Sequence, residues 1–397
     1  MVGHSSKTTV SVPSPKYLFL SVYLFVLVFL PVYSQATCEA PSAALGICRL
    51  TAMENAVLHY RQISDQGGWT RVPAGPTLRE GGRNERVSFL RRRLVESSDL
   101  AAEEDQGETF DGTLKEAVER FQKRHGLVID GLVGIRTLGE LNVPVSQRIQ
   151  QLASSMEYCR LQPPFTDHRY ILVNIPDFTL TLFEDGKPLL TMPVIVGRRD
   201  RQTPTMSGRI SALVLNPFWN VPHIIATEDM LPEIKKNPRY LEEFHLRVSL
   251  DWNSKEDFDP FTIDWAGLSP NNFPYRLTQD PGPTNFLGRV KFVFYPNPED
   301  IYLHDTPARS LFQKESRTFS SGCIRLSKPL KLAAYLLQGT PLGSPEALAE
   351  AISGKKTREV AVPSPIVIYI AYVTAWVDAE GTINFRPNIY SIGNREM

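Results

Sequence analysis

The stretch Thr179-Leu180-Thr181-Leu182-Phe183-Glu184-Asp185-Gly186-Lys187-Pro188-Leu189 decides how the larger part of the chain folds. Its apolar and polar residues alternate with period two, the pattern of a half-buried strand. Asp185-Gly186 is a two-residue hairpin signal, and the chain returns through Leu189 to Val196 before Gly197 ends the strand. Tyr170 to Ile175 reads as a further strand. Repeated strands and turns predict a β-rich domain of sandwich-like build over residues 167–355. Between about 223 and 280 the strand rhythm is lost. Ile225 to Ile234 and Pro238 to Phe244 read as helices, followed by aromatic and polar segments around Trp252 and Trp265. This is an insertion, and one of that length beside a functional site reads as a lid. Residues 356–397 carry strand-like Ile366 to Ala375, a turn at Asp378-x-x-Gly381 and Ile383-Asn384-Phe385. They are either closing strands of the same domain or a small appendage.

Upstream the period changes to that of helices. Residues 37–76 read as a helical scaffold segment around Ala52 to Tyr60, broken at Gly67-Gly68-Trp69, with His59 structural. Residues 77–143 form a three-helix unit. Val87, Leu90 and Leu94 make one stripe; Phe110, Leu114, Ala117, Val118 and Phe121 make another. Thr113-x-x-Glu116 has the form of a capping box, and Gly126 that of a helix stop. A turn at Asp130-Gly131 then leads into a short helix with Thr137, Leu138 and Leu141. Residues 144–166 are a connecting helix ending at Pro163-Pro164. The fold class is therefore α+β and multidomain.

The 397 residues carry equal numbers of basic and acidic side chains. Without residues 1–36, which hold only Lys7 and Lys16, 41 basic residues face 43 acidic ones. No basic excess points to nucleic acid. The N-terminus reads as an export segment: Lys7 and Lys16, an apolar run from Tyr17 to Tyr33, then Ser34-Gln35-Ala36 as a small-x-small cleavage site. It is either a cleaved signal or an uncleaved inner-membrane anchor, and both place the bulk of the chain outside the cytoplasm. An oxidising compartment permits disulfides. Four cysteines, Cys38, Cys48, Cys159 and Cys323, allow three pairings. Cys38 with Cys48 closes a short loop and is the natural pair, with Cys159 packed and inert in a helix.

The chemistry concentrates in Ser320-Ser321-Gly322-Cys323-Ile324-Arg325-Leu326, nineteen residues after the histidine of Tyr302-Leu303-His304-Asp305-Thr306-Pro307. A lone cysteine is usually a small buried hydrophobe. Ser-Ser-Gly, however, is a polar turn and not a core strand. A neighbouring imidazole or cation lowers a thiol's pKa toward the nucleophilic thiolate, and His304 and Arg325 supply both. Gly322 lets backbone approach the reacting carbon and leaves the N–H groups of Gly322 and Cys323 for an oxyanion. This is acyl transfer through a thioester. Tyr302 alternates with His304 and faces the same side, which suits contact with substrate. Ser320 and Ser321 shape the loop. Asp305, adjacent to His304 on a strand, points the other way, so a backbone carbonyl is the expected partner that orients the imidazole. A zinc site of His304 and Cys323 with His223 or His245 is the main rival, but no H-E-x-x-H or paired C-x-x-C spacing is present. No cofactor is called for.

The S-x-G-C-x-R run with a histidine about twenty residues upstream resembles the L,D-transpeptidase catalytic domain of the YkuD type. Thr203-Pro204, the run Asn216 to Pro222, and Pro281-Gly282-Pro283-x-Asn285-x-Leu287-Gly288-Arg289-x-Lys291-Phe292 add to that resemblance. Phe121-Gln122-x-Arg124-His125-Gly126-Leu127, then Asp130-Gly131-x-Val133-Gly134, resemble a peptidoglycan-binding-like module. With the insertion, the whole is similar to periplasmic Gram-negative murein L,D-transpeptidases, whose scaffold-bearing subclass also has His-Asp-Thr-Pro at the histidine. The resemblance implies a tetrapeptide stem as donor, a Cys323 thioester at diaminopimelate, loss of D-Ala, and a second stem's diaminopimelate amine as acceptor in a 3→3 cross-link. It leaves open an L,D-carboxypeptidase, a thiol acyltransferase with another acceptor, and a wall-binding protein that only keeps the fold.

Overall fold

The structure, a computed structural model, describes residues 46–162, 167–252, 254, 256–354 and 356–392. The export segment, Cys38 and the Pro163-Pro164 end of the connecting helix lie outside them. Among the described residues no helix is long and apolar enough to cross a membrane.

Five helices come first: α1 Leu50–Asp65, α2 Arg86–Glu96, α3 Gly112–Arg124, α4 Ile135–Leu141 and α5 Val145–Leu161. The stripes read from the sequence bury together, Val87, Leu90 and Leu94 of α2 meeting Leu114, Val118 and Phe121 of α3 and Leu141 of α4. The start of α3 differs from expectation. Asp111, not Thr113, is the N-cap, its carboxylate accepting from the Leu114 N–H at 2.9 Å. Asp111 has the extended backbone a cap needs, whereas Thr113 is already inside the first turn. Gly126 stops α3 with φ +66°.

The strands begin as read: β1 Arg169–Asn174, β2 Thr179–Glu184 and β3 Lys187–Gly197, with Asp185 and Gly186 both at positive φ in the hairpin. β4 Met206–Leu215 follows. Beyond it lie β5 Trp219–Asn220, a π-helical stretch Ile225–Met230, α6 Leu231–Lys236, α7 Arg239–Glu243, β6 Leu246–Ser249 and β7 Arg276–Gln279. The chain then forms β8 Val290–Tyr295, β9 Leu303–His304, β10 Thr318–Ser320 and β11 Ile324–Leu326. It ends with α8 Pro329–Leu336, α9 Pro345–Ser353, β12 Arg358–Ala371, β13 Ala375–Val377 and β14 Ile383–Phe385.

One sheet runs β10-β3-β11-β9-β8-β4-β12-β1-β2, and β2 also pairs with β3. The expected β-rich build is thus a sheet that closes on itself through β2 and β3, with β10 left at an edge. Alternate residues of its strands, among them Ile171, Leu182, Val194, Leu213, Phe292, Leu303, Ile324 and Ile368, fill one core with Leu332 of α8 and Leu348 of α9. The residues between them face outward, and there the alternation places Lys291, His304 and Arg325.

The insertion has its own core, including Trp219, Met230, Ile234, Val248, Trp265 and Leu277. It holds a three-stranded sheet, β5-β7-β6, where the sequence showed no strand rhythm. The C-terminal stretch does both things considered for it. β12 sits between β4 and β1, while β13 and β14 form a separate hairpin. Phe385 of that hairpin stacks on Tyr60 of α1 and on His125, which follows α3, so it ties the helical region to the rest.

The disulfide is also a correction. Cys48 bonds Cys159, the residue expected to be inert, across 111 positions. Nearness in sequence favoured Cys38, but α1 and α5 pack side by side and bring Cys48 to the end of α5. Both cysteines lie in the apolar layer over the outer face of β1 and β12, with Tyr170, Leu172 and Tyr369.

Candidate active site

The site is built across three neighbouring strands. β8 and β9 are antiparallel with Lys291 opposite His304, and β9 and β11 are parallel with His304 opposite Arg325. Directly opposed residues share a face, so these three side chains form one row. One step along, Ile324 N–H donates to Tyr302 C=O at 3.0 Å, which sets Cys323 beside Tyr302. Tyr302 and Cys323 pack against the insertion's core. The insertion therefore covers the outer face of the sheet where the thiol lies.

Cys323 is the free cysteine among those described. Its loop is stapled internally. The Ser320 hydroxyl donates to the Cys323 carbonyl at 2.5 Å and accepts from the Gly322 N–H at 3.2 Å. Gly322 has φ +111°, and a Cβ there would also stand 3.1 Å from Ile301, so the turn requires glycine. Its amide is not the free oxyanion donor expected, because Ser320 occupies it. Among the described residues the Cys323 N–H donates no hydrogen bond. Ser321 accepts a hydrogen bond from Arg201 at 3.1 Å.

His304 is 4% exposed. Its Nδ1 lies 2.5 Å from the Asp305 carbonyl, the kind of orienting partner the strand geometry called for. Donation from Nδ1 to the Asp305 carbonyl puts the lone pair on Nε2, and the Leu287 carbonyl also lies within reach of the ring. The Asp305 carboxylate turns away, accepting from the Arg289 and Thr306 N–H groups at 2.9 and 2.7 Å and pairing with Arg309. Burial first, then the charges of Arg325 and Lys291, push His304 down to about 3. The Cys323 thiol moves the opposite way, up, because burial outweighs hydrogen bonds from the Tyr302 backbone and hydroxyl and the Lys291 charge. The resting pair is thus neutral thiol and neutral imidazole, where the sequence suggested a lowered thiol. Burial also drives Tyr302 well above the usual phenol range, so its hydroxyl remains a donor.

Two cations stand without carboxylate partners beside the thiol. Arg325 makes no hydrogen bond or ion pair among the described residues, and its Nε is sealed from solvent. The Lys291 ammonium lies 3.9 Å from the centre of the Tyr302 ring. Lys291 carried no functional signal in the sequence beyond its place in the resemblance. His223, by contrast, lies within the insertion, its Nε2 3.1 Å from the Pro270 carbonyl, and among the described residues no three His, Cys, Asp or Glu side chains gather as a metal site.

Residues 168–343 match the family model described as "L,D-transpeptidase catalytic domain", and residues 83–141 match "Putative peptidoglycan binding domain". Over residues 168–343 the chain is similar to an L,D-transpeptidase catalytic domain. The Haemophilus influenzae "Putative L,D-transpeptidase" is 39% identical over 242 residues, 61% of this chain and 47% of its own length, so the chain spans about half of that relative. The Stackebrandtia nassauensis L,D-transpeptidase structure is 16% identical, with 75% of this chain and 97% of that one covered and a TM-score of 0.27. For the Xylanimonas cellulosilytica L,D-transpeptidase structure the values are 13%, 75%, 99% and 0.24. The matched stretch 168–343 contains the whole row of site residues, from Lys291 to Arg325, and the insertion within its bounds.

Proposed function

We propose that the protein is an exported peptidoglycan L,D-transpeptidase that forms 3→3 cross-links through a thioester on Cys323. The observation that carries this reading is a reduced cysteine on a stapled loop, at the start of the strand that pairs with the one carrying a buried histidine oriented by the Asp305 carbonyl. Cys323 attacks the carbonyl at the L-centre of diaminopimelate in a tetrapeptide stem. His304 Nε2 takes the thiol proton as the C–S bond forms. The Cys323 N–H points charge at the developing oxyanion, while the Tyr302 hydroxyl steadies the sulfur it bonds. As the tetrahedral carbon collapses, the C–N bond breaks and His304 returns the proton to departing D-Ala. The side-chain amine of a second stem's diaminopimelate then attacks the thioester, loses its proton to His304 and displaces the thiolate, which takes that proton. Arg325, always charged, and Lys291 are placed to hold stem carboxylates, which would supply the partners they lack.

The Cys48–Cys159 bond suits the oxidising periplasm. The three-helix unit is bound into the scaffold through Phe385, and we read it as support for the catalytic domain that also offers a wall-facing surface. The test is product analysis by mass spectrometry with disaccharide-tetrapeptide. Wild type should release D-Ala and give 3→3 dimers, and Cys323→Ala neither. Tripeptide without dimers would make the enzyme an L,D-carboxypeptidase. No conversion by a protein whose thiol titrates as free would overturn the donor assignment and favour a different acyl donor.

A further inference from the structure

The loop that carries the nucleophile is held from outside by a buried threonine. The Thr203 hydroxyl, in a residue 3% exposed, donates to the Gly322 carbonyl at 2.7 Å and accepts from the Gly197 N–H at 2.8 Å. The Gly322 carbonyl and the Cys323 N–H belong to one peptide unit. A trans peptide is planar, so fixing where its carbonyl points fixes its N–H in the opposite direction. That N–H is the amide left without an acceptor beside the thiol.

Thr203 is itself held by the far end of the chain. Its N–H donates to the Tyr390 hydroxyl at 3.2 Å, and that hydroxyl donates to the Gly197 carbonyl at 2.7 Å. Tyr390 is 4% exposed and stacks on Tyr372. Gly197 permits the close approach: a Cβ there would lie 2.2 Å from the Arg201 carbonyl and 2.7 Å from the Thr203 nitrogen.

We propose that Thr203 is a positioning residue that aims the Cys323 N–H as an oxyanion donor, and that Tyr390 locks Thr203 for this task. The proposal rests on the reading of Cys323 as an acylated nucleophile, though not on which stem peptide acylates it. Two reactions of the same sulfur separate a role in aiming the amide from a role in folding. Acylation by a p-nitrophenyl ester passes through a tetrahedral oxyanion. Alkylation by iodoacetamide displaces iodide at a saturated carbon and forms none.

Both are measured on the full chain for wild type, Thr203→Val, Thr203→Ser and Tyr390→Phe. Loss of one oxyanion donor costs about 10²–10³ in rate, and a misaimed one somewhat less. Thr203→Val should therefore acylate about 10–100-fold more slowly with KM within about twofold, while alkylation stays within about twofold of wild type. Thr203→Ser keeps both hydrogen bonds and should restore acylation. Tyr390→Phe, which removes one oxygen, should slow acylation several-fold and spare alkylation if Thr203→Val fails to fold. Equal acylation by wild type, Thr203→Val and Tyr390→Phe would overturn the proposal, as would parallel loss of both reactions. Wild-type ester cleavage no faster than that of Cys323→Ala would overturn the nucleophile reading itself.

Discussion

At the residue scale the proposed catalytic pair rests uncharged. With His304 held at about 3 by burial, Arg325 and Lys291, the imidazole is already a free base throughout the range where an ordinary histidine titrates. With Cys323 pushed upward by burial, the thiol stays protonated over the same range. Acylation by this pair should be independent of pH between about 5 and 8. The kcat/KM profile for the donor checks this. A limb near 6.5 would mean that the histidine keeps its ordinary value and that the row of cations does not act on it. Cys323 and His304 were legible in the sequence because the turn residues and the strand alternation that expose them are local. Lys291 was not, because only the β8–β9 register sets it opposite His304. The Gly322 amide was misjudged for a related reason: the Ser320 hydroxyl reaches it only once the turn is closed.

At the scale of elements, the site depends on how the insertion is fastened. Asp229, in the π-helical stretch, receives Arg198 at 3.0 Å and Arg201 at 2.7 Å, and Arg201 also bonds Glu228 at 2.5 Å and Ser321 at 3.1 Å. Exposed ion pairs contribute only about 0–1 kcal/mol. The Arg201 side chain, however, is only 8% exposed, so removing a partner leaves a buried charge poorly paired. Asp229→Asn should loosen the cover over Cys323 and raise the rate of iodoacetamide alkylation several-fold, more so at high salt. An unchanged rate would show that the insertion is held by its apolar core alone. The helices of this cover were readable from composition, as was the Asp185-Gly186 hairpin. β6 and β7 were not: each has four residues, too few for alternation to stand out from the aromatic clusters around them.

For the whole molecule, the Cys48–Cys159 bond ties the start of α1 to the end of α5, and the C-terminal hairpin joins these helices to the rest through Phe385. A crosslink spanning 111 positions restrains the unfolded chain over a long loop, typically worth about 2–4 kcal/mol. Cys48→Ser with Cys159→Ser should lower Tm by several degrees, and a reductant should then have little further effect. A variant as stable as wild type would show that the bond adds nothing to the packing of α1 on α5. The order of helical and strand-rich stretches was legible because each has its own period. The disulfide and the reach of Tyr390 to Gly197 and Thr203 were not, since both join residues more than a hundred positions apart.

The most direct test of the central claim is the intact mass of the protein quenched during turnover with disaccharide-tetrapeptide, followed by mapping of the adduct. A thioester on Cys323 carrying the donor less D-Ala, absent from Cys323→Ala and slow to form in His304→Gln, is the expected result. Turnover with unmodified Cys323, or an adduct on another residue, would contradict it.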